Sequence, residues 1–142
     1  MAIDPVYTAK ATATGGRDGA AKTADGSLDV KLGVPKEMGG DGKGNNPEQL
    51  FAAGYAACYL GAMKFAQSKD KSLAEIPADA SVEAHVGIGP RSDTGFGLKA
   101  DLVVSMPGLD KAEVEKITEA GHKICPYSNA INGNVDVTTT VA

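Results

Sequence analysis

The stretch NNPEQLFAAGYAACYLGAMKFA, Asn45 to Ala66, constrains the fold more than any other part of this chain. Asn46 is placed to cap a helix, Pro47 suits the first helical position because its missing N–H costs nothing there, and Glu48 favours the positive end of the helix dipole. Leu50, Phe51, Tyr55, Tyr59, Leu60, Met63 and Phe65 then cover nearly every face, with alanine and glycine between them. A helix without a polar face has to be packed on several sides, so the remaining elements are expected to wrap around it. Gly54 and Gly61 each cost about 1 kcal/mol relative to alanine, which close approach by another backbone would justify. The polar run SKDKS ends the helix near Ser68.

The flanking segments read as strands. VYTAKATAT (6–14) is rich in strand formers, SLDVKL alternates, and the Asp25-Gly26 pair is a hairpin signal, so a three-stranded meander is expected over 6–14, 20–24 and 27–33. The glycine-dense segment from Val34 to Asn46 is a loop. ASVEAHVGI (80–88) and FGLKADLVVSM (96–106) alternate as an antiparallel pair around GPRSDTG. Asp110 and Glu113 have capping-box spacing, and Val114, Ile117 and Ile124 mark the buried stripe of a second helix that Pro126 stops. NVDVTTTVA closes the chain as a strand. The order βββ-α-ββ-α-β predicts an α+β fold, and 142 residues suffice for one domain spanning 1–142.

A net charge of −4 argues against a nucleic-acid partner. Asp4 and Pro5 stand where a leader needs positive charge and an apolar run, and no segment is apolar over the ~18 residues of a membrane span, so a cytoplasmic protein is expected. Two cysteines are too few for a secreted disulfide framework, leaving catalysis, redox sensing or metal binding. Cys58 in the apolar helix reads equally well as a small buried hydrophobe. Cys125, beside a proline at a helix end, is easily presented to a pocket. His122 and Cys125 form only half of a zinc pattern; His122 reads as a cation at its helix C-terminus and His85 as a residue on the polar side of its strand.

A nucleophilic cysteine must be a thiolate, which calls for a nearby cation, and Arg17 in the loop GGRDG is a candidate. Glu48 is suited to hold that guanidinium in a bidentate pair, giving a coherent peroxide-reducing set. Glu48 and Cys58 lie ten residues apart on one helix, about 15 Å along its axis and on different faces. For both to act at one site, either the helix breaks or Glu48 reaches the cysteine of a second subunit. An interlocked homodimer with two interfacial sites is the expectation.

GGRDG, DGSLDVKLGVPKEMGG, NPEQLFAAGYAACY and CPYSNAINGN together resemble the organic hydroperoxide resistance (Ohr) branch of the OsmC/Ohr family, over essentially the whole chain. The resemblance implies an OsmC-like, intertwined α+β homodimer with a central buried helix. It also implies a thiol peroxidase that reduces organic hydroperoxides, including fatty-acid hydroperoxides, to alcohols, with hydrogen peroxide a poorer substrate. On the matching motifs, Cys58 is the implied peroxidatic cysteine, Cys125 the resolving one, and Arg17 and Glu48 the activating pair. The implied reductant is the dihydrolipoyl group of a lipoylated protein, with no metal, haem or flavin. Phe51 and Tyr55 are candidates to line a channel for the alkyl chain, or are ordinary core. Ile131 and Asn132 depart from the family pattern, which has an arginine near this point. The competing readings are a redox sensor or small-ligand binder switched by the same disulfide, and a structural protein with two inert thiols.

Overall fold

The computed structural model describes residues 2–142, which divide into two compact units, the first ending at Leu50 and the second running from Phe51 to Ala142. In the first unit, β1 (Ala11–Thr14), β2 (Ala20–Thr23) and β3 (Asp29–Lys31) form an antiparallel meander in that order. The first strand is shorter than the expected 6–14: Val6 and Tyr7 are exposed and outside the ladder, because strand propensity without a partner to pair with does not make a strand. The Asp25-Gly26 turn forms as expected, with Gly26 at φ +73° and the Asp25 carboxylate accepting from the Thr23 and Ser27 hydroxyls and the Ser27 N–H. Those bonds hold the Asp25 pKa down to about 2.

Helix α1 runs unbroken from Pro47 to Lys69. Its start is fixed by a reciprocal cap: the Gln49 N–H donates to Asn46 Oδ1 at 2.9 Å and the Asn46 N–H to Gln49 Oε1 at 3.1 Å. One face buries Tyr55, Tyr59, Ala62, Met63 and Ala66. The opposite stripe, Ala53, Ala57, Gly61 and Phe65, is exposed in the single chain, so the helix is not covered on every side by its own chain. The two helix glycines have different reasons. A Cβ on Gly54 would lie 2.7 Å from the Tyr127 hydroxyl, so a side chain and not a backbone makes the close approach; nothing lies near Gly61.

In the second unit, β4 (Ser81–Pro90) and β5 (Phe96–Ser105) pair antiparallel, and β6 (Asp136–Val141) adds to β5 in parallel. A parallel neighbour needs a crossover. Two helices supply it: α2 (Lys111–Ile124), opened by a full Asp110/Glu113 capping box, and α3 (Pro126–Ile131), an element the sequence reading lacks. Pro126 ends α2 and at once occupies the first position of α3, where a missing N–H is harmless. The buried stripe of α2 is Val114, Ile117, Thr118 and Gly121, continuing to Cys125; Ile124 lies one residue off that line and is exposed. Phe96 is exposed for a similar reason, standing at the strand end beyond the last core layer.

The core of this unit joins Tyr55, Tyr59 and Met63 of α1 to Ala100, Leu102 and Val104 of β5 and to Val114 and Ile117 of α2. Leu102 is fully buried in the middle strand. Leu102→Ala is expected to destabilise by about 2–5 kcal/mol, through lost transfer energy and the cavity left behind. Denaturant titration checks this against Phe96→Ala, which should cost far less.

Candidate active site

Cys125 has a double duty at the junction of α2 and α3. Its N–H donates to the Gly121 carbonyl as the C-cap of α2, and its side chain accepts from the Ser128 N–H at 3.5 Å as the N-cap of α3. This fixes a fully buried sulfur against the middle of α1, where Cys58 is partly exposed. The two sulfurs are 3.7 Å apart with both thiols free. A disulfide needs about 2.05 Å, so rotation of one or both side chains has to close the remaining distance.

Burial raises the Cys58 pKa above that of an ordinary thiol, and the neighbouring Cys125 adds to the rise; the Tyr127 N–H, donating to the sulfur, opposes them. Cys58 is therefore not acidified by its surroundings in this unit. Tyr127 also closes an aromatic wall beside the sulfurs, stacked on Tyr55 with centroids 5.8 Å apart and edge-on to Phe51 at 5.7 Å. Tyr55 borders a cleft of about 430 Å³ together with His122, Ser128, Ile131, Asn132 and Val137. Its ring is fully buried, whereas Phe51 is only partly buried and lies outside that lining. Ile131 and Asn132, the positions that depart from the family pattern, both face the cleft.

Arg17 and Glu48 meet within the first unit. Gly15, at φ +73°, turns the chain out of β1 into a single 3-10 turn, Gly16–Asp18, that carries Arg17; a residue with a Cβ would be strained there. Glu48 stands in the first turn of α1. The guanidinium grips it with two parallel bonds, Nη1 to Oε2 at 2.9 Å and Nη2 to Oε1 at 2.6 Å. The arginine holds the Glu48 carboxyl below its usual pKa, against the opposing effect of burial. A depressed carboxylate pKa stabilises the fold above the unfolded value, near 4.3, and that contribution is lost as pH falls through the folded value. The stability difference between the wild type and Glu48→Gln, measured by denaturation, should therefore shrink between pH 5 and the acid limit of folding. High salt should reduce it at neutral pH as well, because the arginine is 38% exposed.

His122 is not the helix-end cation the sequence suggests. Its ring stacks on Tyr59 at 4.5 Å and lies between two hydroxyls, Ser128 at 2.9 Å from Nδ1 and Thr139 at 2.7 Å from Nε2. Burial lowers its pKa. His85 is exposed beside Glu83. Among the described residues no three His, Cys, Asp or Glu side chains converge as a metal would require. The sequence reading missed Tyr127, Ser128 and the α3 start. The Cys125-Pro126 pair repeats the cap-then-proline pattern of Asn46-Pro47 and was the signal available for it.

No helix among the described residues is long and apolar enough to cross a membrane. The sequence profile of the family described as OsmC-like protein matches residues 40–140. An uncharacterized protein of Acinetobacter baylyi is 60% identical over 132 residues, 93% of this chain and 90% of its own. An organic hydroperoxide resistance protein of Xanthomonas axonopodis pv. citri is 52% identical over 138 residues, 96% of this chain and 95% of its own. The crystal structure of an organic hydroperoxide resistance protein from Legionella pneumophila superposes with a TM-score of 0.90 at 42% identity, covering 98% of this chain and 99% of that one. The profile agrees over residues 40–140 and the sequence and fold over nearly the full length, and the chain belongs to the OsmC/Ohr family, in its organic hydroperoxide resistance branch.

Proposed function

We propose that this chain is a cysteine-based peroxidase that reduces organic hydroperoxides to alcohols and is reset by a dihydrolipoyl dithiol. Organic hydroperoxide detoxification follows from its branch of the family. The observation that carries the chemistry is the pair of free sulfurs 3.7 Å apart, one partly exposed and one buried.

In this mechanism the Cys58 thiolate attacks the terminal oxygen of the hydroperoxide. The O–O bond breaks, the alkoxide leaves and takes up a proton to become the alcohol, and Cys58 is oxidised by two electrons to a sulfenic acid. Cys125 then attacks that sulfur, an S–S bond forms, and hydroxide leaves and is protonated to water. A dithiol reduces the disulfide by two successive exchanges, itself becoming a cyclic disulfide. Because burial raises the Cys58 pKa, the thiolate needs a cation, and Arg17 is assigned that role with Glu48 as the anchor of its guanidinium. The unbroken helix α1 supports the arrangement in which Arg17 and Glu48 of one subunit serve Cys58 of another. The exposed small-residue stripe of α1 suits the close packing such a homodimer requires. Phe51 and Tyr55 are assigned to the apolar lining for the alkyl group. The two units then work as one domain in an intertwined dimer, and free thiols suit the reducing cytoplasm.

The test is consumption of cumene hydroperoxide and of hydrogen peroxide by the wild type with dihydrolipoamide as reductant. Many turnovers, faster with the organic peroxide, are expected. A single stoichiometric oxidation followed by arrest would move the assignment to a redox sensor.

A further inference from the structure

The side chains behind the cysteines form one hydrogen-bonded line from α1 through α2 and α3 to β6. The Tyr55 and Ser128 hydroxyls lie 2.8 Å apart, the Ser128 hydroxyl bonds to His122 Nδ1 over 2.9 Å, and His122 Nε2 bonds to the Thr139 hydroxyl over 2.7 Å. Beside the line, Tyr59 stacks on the His122 ring and its hydroxyl donates to the Thr118 carbonyl at 2.8 Å. No buried side-chain nitrogen or oxygen among the described residues is left unpaired.

Ser128 is where this line meets the dithiol. Its backbone N–H faces the Cys125 sulfur, and the N–H before it, of Tyr127, faces Cys58. The first turn of α3 is thus pinned through the Ser128 side chain while its backbone addresses both sulfurs. We propose that His122 is a positioning residue for disulfide formation: by its Nδ1 bond to Ser128 it fixes the α3 start that holds Cys125 within reach of Cys58. This rests on the reading of Cys125 as the resolving thiol. The groups facing the ring, Tyr59 of α1, Thr139 of β6 and Ser128 of α3, are uncharged hydroxyl side chains, so the ring is held by hydrogen bonds and stacking and by no ion pair.

To test this, reduced protein is treated with diamide, which takes up the two electrons and two protons the thiols lose as the Cys58–Cys125 bond forms. The rate of disulfide formation is divided by the rate of Cys58 alkylation by iodoacetamide, so that a change in Cys58 alone cancels. His122→Phe keeps the ring stacked on Tyr59 and removes both bonds; Ser128→Ala removes the link from the other side. Both should lower the ratio about tenfold to a hundredfold, the scale on which an ångström of misplacement acts. His122→Asn, whose amide can bond Ser128 from the Nδ1 position as donor or acceptor, should recover most of the loss. An unchanged ratio in folded His122→Phe and Ser128→Ala overturns the proposal. The diamide arm needs no peroxide, so a wild type that fails to turn over cumene hydroperoxide would remove the peroxidase reading without deciding this one.

Discussion

Cys58→Ser is expected to abolish turnover of cumene hydroperoxide, by about 10³-fold or more, because the one thiol left, Cys125, is fully buried and out of reach of the peroxide. Cys58 is partly exposed and packs at the edge of the core, so exchange of sulfur for oxygen should leave the thermal transition within a few degrees of the wild type. Cys125→Ser separates the two steps. It should still consume one equivalent of peroxide, after which a Cys58 sulfenic acid persists long enough to be trapped by dimedone. Should Cys58→Ser retain wild-type activity, Cys58 is not the peroxidatic residue and the mechanism proposed here fails with it.

Arg17→Met should lower kcat/KM for the organic peroxide by about 10²- to 10³-fold, the range for removing one preorganised group that stabilises developing charge on oxygen. The effect should be largest near neutral pH, where an unassisted Cys58 thiol, raised by burial, is mostly protonated, and should narrow as pH rises and the thiolate forms without help. Glu48→Gln keeps the hydrogen-bonding shape but loses the charge that holds the guanidinium in its two-bond grip, so a smaller loss in the same direction is expected. Co-expressed Arg17→Met and Cys58→Ser chains distinguish the two ways of building the site. If one subunit's arginine serves the other's cysteine, each mixed dimer carries one site with both residues intact and recovers activity that neither variant has alone. No recovery in isolated mixed dimers would assign both residues to one chain.

Much of this was legible before any coordinates. The Asn46-Pro47 start of α1, the Asp110/Glu113 box of α2, the Asp25-Gly26 turn and the alternation of β4 and β5 are signals between residues a few positions apart, governed by local backbone sterics and hydrogen bonds. The errors lay where a distant partner decides. Val6 and Tyr7 have strand propensity and no strand to pair with. Ile124 fits the helical period but lies beside the line that Cys125 completes. His122 reads as a terminal cation until Tyr59, Ser128 and Thr139 close around it.

The site divides in the same way. From the residues alone came the two cysteines, the arginine and the glutamate, because a thiolate nucleophile needs a cation and a guanidinium matches a carboxylate in shape. The sequence also determined both helix starts and the α+β order, since caps, prolines and periodicity act within a few residues. Only the tertiary structure decided that Cys58 and Cys125, 67 residues apart, stand 3.7 Å from each other, that α3 begins on Cys125, and that His122 lies between the Ser128 and Thr139 hydroxyls. Those outcomes depend on which buried donors and acceptors meet, and a buried polar group takes whatever partner the packing of remote segments brings to it.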